Sequence, residues 1–166
     1  MFVYPKKAQS HKEPAEIGSR PWHQGSDCYV CRKQEGIEPP TSGGYIVEGK
    51  YFLVEHTPLK MSHVGRVTIQ SRRHRLDFGE MTSAEGTEFG SIMRELVPAV
   101  KAVTGADRLY YLSVNEHAPH FHLWLVPKKK NTTLAPLPFL SRRPVPATKS
   151  GAETMSRKIR KKLGRS

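Results

Sequence analysis

The sequence predicts an α+β fold: a mostly antiparallel five-stranded sheet, one long helix and a flexible basic C-terminal tail. Three observations lead there. Short β-rich runs with alternating apolar residues recur between residues 45 and 126. A single apolar stripe of helical period, Phe89, Ile92, Met93, Leu96, Val97, Val100 and Val103, lies between a capping box at Thr82 and Glu85 and a terminating Gly105. The connections between several of the runs are short enough to join antiparallel neighbours. With 166 residues, 37% of them hydrophobic and 25% charged, the chain suits one globular domain with tails.

Taken in order, residues 1–26 mix Pro, Lys, Gly, Ser and Gln without apolar periodicity and read as an irregular arm, with Trp22 and His23 available to dock it. Cys28 and Cys31 follow in CxxC spacing, ahead of a Pro-Pro and Gly-Gly loop between Ile37 and Gly44. Tyr45 to Val47 and Tyr51 to Glu55 read as a hairpin through Glu48-Gly49-Lys50, where glycine supplies the positive φ of a tight turn. The connection from His56 to Gly65 leads to a third strand, Arg66 to Gln70, and then to the basic turn Ser71-Arg72-Arg73-His74. The long helix, from near Thr82 to near Gly105, is expected to bend at Pro98 rather than stop, because its stripe continues past that residue. Leu109 to Val114 and His120 to Val126 are the fourth and fifth strands.

Charge is distributed unevenly. The net charge is +12, yet Lys128 to Ser166 holds 12 of the 27 basic residues and a single acid, Glu153, so the body is nearly neutral. Residues 129–166 therefore form a basic tail. Its Lys129 to Ser150 part is expected to be mobile, and Met155, Ile159 and Leu163 recur every four residues, the mark of a basic amphipathic helix forming on contact with RNA or another polyanion. No run of eighteen apolar residues exists and the N-terminus lacks a signal-peptide core, so the expectation is a cytoplasmic protein without membrane insertion.

Chemistry concentrates between Asn115 and Lys128. Strand alternation puts His120, His122, Trp124 and Val126 on one side and Phe121, Leu123 and Leu125 on the other. With His117, three histidines occupy six positions, more titratable groups than packing needs. Two strand imidazoles two residues apart stand roughly 6 to 7 Å apart at the backbone, within reach of one reaction or one metal. The CxxC pair reads as a zinc half-site, a redox pair or a disulfide. With no strand before it and no helix foreseen after it, zinc is favoured over thioredoxin-like redox chemistry.

The string HFHLWLVPK resembles the signature strand of the histidine triad nucleotidyl hydrolases and transferases, His-x-His-x-His followed by apolar residues. His120 and His122 match the first two histidines, and Trp124 stands at the third. The galactose-1-phosphate uridylyltransferase branch is similar in keeping two histidines, with glutamine at the third position. The resemblance spans roughly Cys28 to Lys128 and implies that residues 27–128 form a histidine-triad-like catalytic domain. It further implies a structural zinc held by Cys28, Cys31, His74 and His120, with His23, His56 and His63 as substitutes. The middle histidine, His122, takes the nucleophile's position and would form a nucleotidyl-histidine. His117 falls where the family places a phosphate-contacting Ser or Thr, which suits phosphate binding or protonation of the leaving group. Asn115 is polar at a strand end, able to donate to a phosphate oxygen or cap the turn, and Trp124 would wall the substrate pocket. The implied substrates are nucleotides or nucleotide conjugates, and the implied assembly is a homodimer through the long helix and an edge strand. Two other readings stay open: a metal-dependent hydrolase in which His117, His120 and His122 hold a catalytic ion, and a non-enzymatic zinc module that binds nucleotide or nucleic acid. The former has no carboxylate at hand except Glu116 and leaves the CxxC unused; the latter leaves His122 unused.

Overall fold

The structure is a computed structural model that describes residues 28–115, 118–141, 143 and 145–165. The N-terminal arm with Trp22 and His23, and His117, lie outside the described residues. Five strands, β1 (Tyr45–Glu48), β2 (Phe52–His56), β3 (Val67–Ser71), β4 (Ala106–Leu112) and β5 (His122–Lys129), make one sheet in the order β1-β2-β3-β5-β4. Every neighbouring pair is antiparallel. The expected α+β sheet is therefore the observed one.

Four helices accompany it: α1 (Tyr29–Gln34), α2 (Ser83–Thr104), α3 (Pro136–Ser141) and α4 (Lys149–Lys162). The capping box of α2 is formed, with the Thr82 hydroxyl accepting from the Glu85 amide and the Glu85 carboxylate accepting from the Thr82 amide at 2.8 Å. Gly105 closes α2 at φ 67°, a left-handed conformation suited to glycine. The helix runs through Pro98 as one element, since the stripe beyond it, Ala99 and Val100, is buried.

The alternation read from β5 is realised. Leu123 and Leu125 join Phe52, Val54, Val67, Ile69, Ile92, Leu96 and Val100 in the core, while His122 and Trp124 lie on the sheet's other face. On that second face, register sets Gln70 opposite His122 and Thr68 opposite Trp124. The strand begins at His122 rather than His120: Ser71 N–H still donates to the Phe121 carbonyl, but the Phe121 amide turns to the Arg75 carbonyl and the His120 amide to the Ala118 carbonyl, away from the ladder. It also runs on to Lys129, past Pro127; the last β3 partner is Val67 opposite Leu125, so the proline stands where only β4 flanks the strand.

Three expectations need correction. The turn between β1 and β2 does not use the positive φ expected at Gly49, which is not among the described glycines in the left-handed region. The CxxC does lead into a helix: Cys28 is the N-cap of α1 and Cys31 lies within it. The tail is also not a free segment that orders only on binding, since α4 is formed and docked on α2 and β1. Ala152, Ser156 and Ile159 are fully buried, Leu163 packs on the core, and Arg160 Nη1 donates to the carbonyls of Gly43 at 2.7 Å and Tyr45 at 3.0 Å. Gly43, at φ 98°, permits this approach, for a Cβ there would lie 2.7 Å from Ser156 Oγ. Upstream, Ala147 N–H donates to the Leu59 carbonyl and Val145 N–H to His63 Nδ1. The four-residue stripe was legible, but its partner was the body of the same chain. Ile159→Ala is expected to lower stability by about 3 kcal/mol through transfer and cavity terms, measured by urea unfolding, whereas an undocked tail leaves the midpoint unmoved.

Candidate functional site

Helix α1 turns both thiols inward, leaving Cys28 2% and Cys31 9% exposed, and the turn after β3 brings His74 towards them. His120 arrives from the start of β5. The ligand atoms of Cys28, Cys31, His74 and His120 all lie within 4.8 Å of one another. Sγ of Cys28 is 3.4 Å from His120 Nδ1, and Sγ of Cys31 is 3.5 Å from Nδ1 of both His74 and His120. In tetrahedral zinc, with Zn–S near 2.3 Å and Zn–N near 2.05 Å, a sulfur-to-nitrogen edge measures about 3.5 Å, so these separations fit a Cys2His2 shell. The four residues are those the resemblance implied.

His120 is oriented for that role. Its Nε2–H donates to the Ser71 carbonyl at 2.7 Å, which leaves the Nδ1 lone pair facing the sulfurs. Burial, reinforced by the neighbouring His74, His122 and Lys33, pushes its pKa down to about 4, so the ring is neutral and ready to ligate. Burial beside Cys28 pushes the Cys31 thiol up to about 12, so metal uptake must displace its proton. Because both nitrogens of His120 are committed, none remains to share a second, catalytic ion with His122, which counts against the metal-hydrolase reading. His56 is no substitute ligand: it is fully buried, Nδ1 donating to the Thr57 carbonyl at 2.7 Å and Nε2 accepting from Gly65 N–H at 3.0 Å. His63 lies elsewhere, accepting from Val145.

On the polar face, His122 is 6% exposed and its Nδ1–H donates to the carbonyl of His120 at 2.8 Å. The unshared electron pair is therefore on Nε2. Burial, with Lys33 nearby, lowers its pKa and keeps the imidazole neutral. Trp124 is half-buried with its ring 5.6 Å from that of His122, and the guanidinium of Arg66 lies 5.3 Å from the indole on the far side. Arg66 is 8% exposed; its Nη1 donates to the Met61 carbonyl, its Nε has no partner, and among the described residues no carboxylate pairs with it. Asn115 is held by Nδ2, which donates to the Leu76 carbonyl at 2.6 Å, so one of its donors already serves as a turn tie.

Sequence reading missed Lys33, Gln70 and Arg66. Lys33 is 4% exposed, ion-paired with Glu55, and its Nζ donates to Gln70 Oε1 at 3.4 Å. The Glu55 carboxylate also accepts from Thr41 N–H at 2.9 Å. This contact turns the oxygen of Gln70 towards the lysine and leaves its buried Nε2 unpartnered on the strand beside His122. Thr68 and Gln70 alternate on β3 with Arg66 just before it, a signal open to sequence analysis, whereas nothing in the sequence marks Lys33.

No family model matches the sequence, and no curated protein matches it. Solved structures do. A HIT-like protein involved in cell-cycle regulation from Bartonella henselae, crystallised with an unknown ligand, superposes with TM-score 0.64 at 13% identity over 82% of this chain and 96% of that one. A hypothetical histidine triad nucleotide-binding protein from Sulfolobus tokodaii gives 0.64 at 18% over 82% and 92%. A zinc-bound histidine triad family protein from Mycobacterium smegmatis gives 0.63 at 18% over 83% and 94%. At these identities the likeness is one of fold, and the fold is that of the histidine triad proteins.

Two measurements check this site. Protein as purified is expected to carry about one zinc per chain, and Cys31→Ser to lose zinc and melting temperature together, as elemental analysis and thermal unfolding of the same samples will show. The segment bearing His74 is anchored by Arg75, fully buried and paired with Glu85, whose carboxyl Arg75 holds well below the usual carboxylate range. A depressed carboxyl stabilises the fold above its unfolded pKa of about 4.3, and that contribution is lost as pH falls towards the lower folded value. Urea midpoints of wild type should therefore drop more steeply below about pH 4 than those of Glu85→Gln.

Proposed function

We propose that the protein is a nucleotidyl hydrolase or transferase that cleaves a nucleoside phosphoanhydride or phosphoramidate through a nucleotidyl-histidine at His122. The observation that carries this reading is the state of His122: a neutral imidazole, Nδ1–H tied to the His120 carbonyl, Nε2 without a partner among the described residues on a buried polar face. The resemblance of HFHLWLVPK to the triad signature supports it independently. Nε2 attacks phosphorus, an N–P bond forms, and the P–O or P–N bond to the leaving group breaks. The leaving group takes a proton, in this reading from His117. Water or an acceptor phosphate then attacks the same phosphorus, the N–P bond breaks and leaves His122 neutral, and the proton released by water, or one from solvent when the acceptor is a phosphate, restores His117.

Zinc on Cys28, Cys31, His74 and His120 is structural in this scheme, fixing the His120 carbonyl that orients His122. Trp124 lines the substrate pocket, and Arg66 behind it and the free amide of Gln70 supply donors for anionic oxygens. Asn115 borders the same pocket through the turn it ties. A reducing cytoplasm keeps both thiols available as ligands. A homodimer through α2 and the edge strand β4 belongs to the same reading.

The test is brief incubation of wild type with a panel of labelled nucleotides, a basic quench that preserves the N–P bond, and peptide mapping. His122→Asn is expected to lose several orders of magnitude in rate while keeping zinc and fold. Equal turnover by His122→Asn, or an adduct on another residue, overturns the mechanism.

A further inference from the structure

Helix α4 presents a face that neither the Cys/His cluster nor His122 uses. With 3.6 residues per turn, Ala152, Ser156 and Ile159 fall on one arc and are fully buried against the body. The opposite arc carries Arg157, Lys158, Lys161 and Lys162, all exposed. No hydrogen bond or ion pair engages the side chains of these four among the described residues. The flanking cations are turned aside: Arg160 donates to the Gly43 and Tyr45 carbonyls, and Arg165 pairs with Glu95 at 3.4 Å. The only acid from Lys128 onward is Glu153. Four like charges within about 8 Å of helix axis repel one another, and docking prevents the helix from moving to relieve that repulsion.

The location separates this face from the catalytic reading. α4 packs with α2 and β1, on the side of the sheet that holds Phe52, Ile69 and Leu123, whereas His122 lies on the other side. The four cations are therefore not substrate contacts of His122. A lipid surface is also disfavoured. A helix that lies on a bilayer buries its apolar face there, and the apolar residue Ile159 of α4 is wholly enclosed by its own domain.

We propose that the exposed arc of α4 is a preformed binding surface for the phosphodiester backbone of a nucleic acid strand, held by charge without sequence readout. Each of the four side chains neutralises one phosphate, and a rigid docked helix pays no ordering entropy at binding. The proposal does not depend on the nucleotidyl-transfer reading.

The experiment is fluorescence anisotropy of full-length, zinc-loaded protein with a labelled single-stranded 20-nucleotide oligouridylate and with oligodeoxythymidylate of the same length. Four contacts to a single strand give a slope of log affinity against log salt of about −3, so affinity falls about 50-fold between 50 and 200 mM salt. The quadruple variant Arg157→Gln, Lys158→Gln, Lys161→Gln, Lys162→Gln should flatten that slope to near zero while zinc content and melting temperature stay at wild-type values. A second variant, Lys128→Gln, Lys129→Gln, Lys130→Gln, should leave the slope unchanged. Binding of RNA and DNA alike supports a backbone surface, and binding of RNA alone supports it with the 2′-hydroxyl as an added contact. Unchanged binding by the α4 variant, loss of the slope in the Lys128 to Lys130 variant instead, or capture by phosphatidylserine vesicles without oligonucleotide binding each overturns it.

Discussion

The rest of the structure depends on how one imidazole divides its two nitrogens. His120 gives Nε2–H to the Ser71 carbonyl at the end of β3 and turns Nδ1 towards the two thiols at the start of α1, joining three distant parts of the chain in one ring. Its backbone carbonyl accepts from His122 Nδ1 and so selects the tautomer of the next histidine. A residue that looks like half of a metal site thus decides which nitrogen of its neighbour is basic. Moving it would displace the metal shell, the end of β3 and the orientation of His122 together.

The polar face of the sheet has an unusual electrostatic character. Lys33 and Glu55 are almost wholly buried as a pair, and Arg66 is buried with a carbonyl and an indole but, among the described residues, no carboxylate. Burying charge this way is unfavourable unless hydrogen bonds or a ligand compensate for lost water. Among the described residues the sign left without a counter-charge is positive, at Arg66 beside Trp124, which suits a site that receives an anion. Trp124 then has a physical role distinct from that of a third histidine. Its ring lies 5.3 Å from the Arg66 guanidinium and 5.6 Å from the His122 ring at a 49° tilt, packing beside both without taking part in proton transfer.

Local and periodic features were legible in the sequence. Alternation from Phe121 to Leu125 sorted core from polar residues, and Thr82, Glu85 and Gly105 marked the ends of α2, because such signals depend on neighbours within a few positions. The Cys/His cluster was different. Cys28 and His120 lie 92 residues apart, so spacing alone identified half a site and the resemblance to the triad strand supplied the rest. Lys33 and the docking of α4 were not legible, since each depends on which surfaces meet in three dimensions. The Ile159 stripe is the instructive case: its period revealed a helix, but a period does not say what the helix will cover.

The chain order of the four ligands carries a consequence for how the molecule is made. During synthesis the thiols at Cys28 and Cys31 emerge first, His74 follows 43 residues after Cys31, and His120 comes 92 residues after Cys28. Helix α1 has only six residues and little stability of its own; the Lys33–Glu55 pair and the Gln34 contact to the Ser71 carbonyl tie it to β2 and β3, but its thiols lack their second histidine until the far residue appears. Closing so long a loop is entropically unfavourable by a modest, logarithmic amount, but it cannot begin before the loop exists. The β1-β2-β3 meander, α1 and α2 can assemble on the way, and the Cys/His cluster is completed only when His120 arrives.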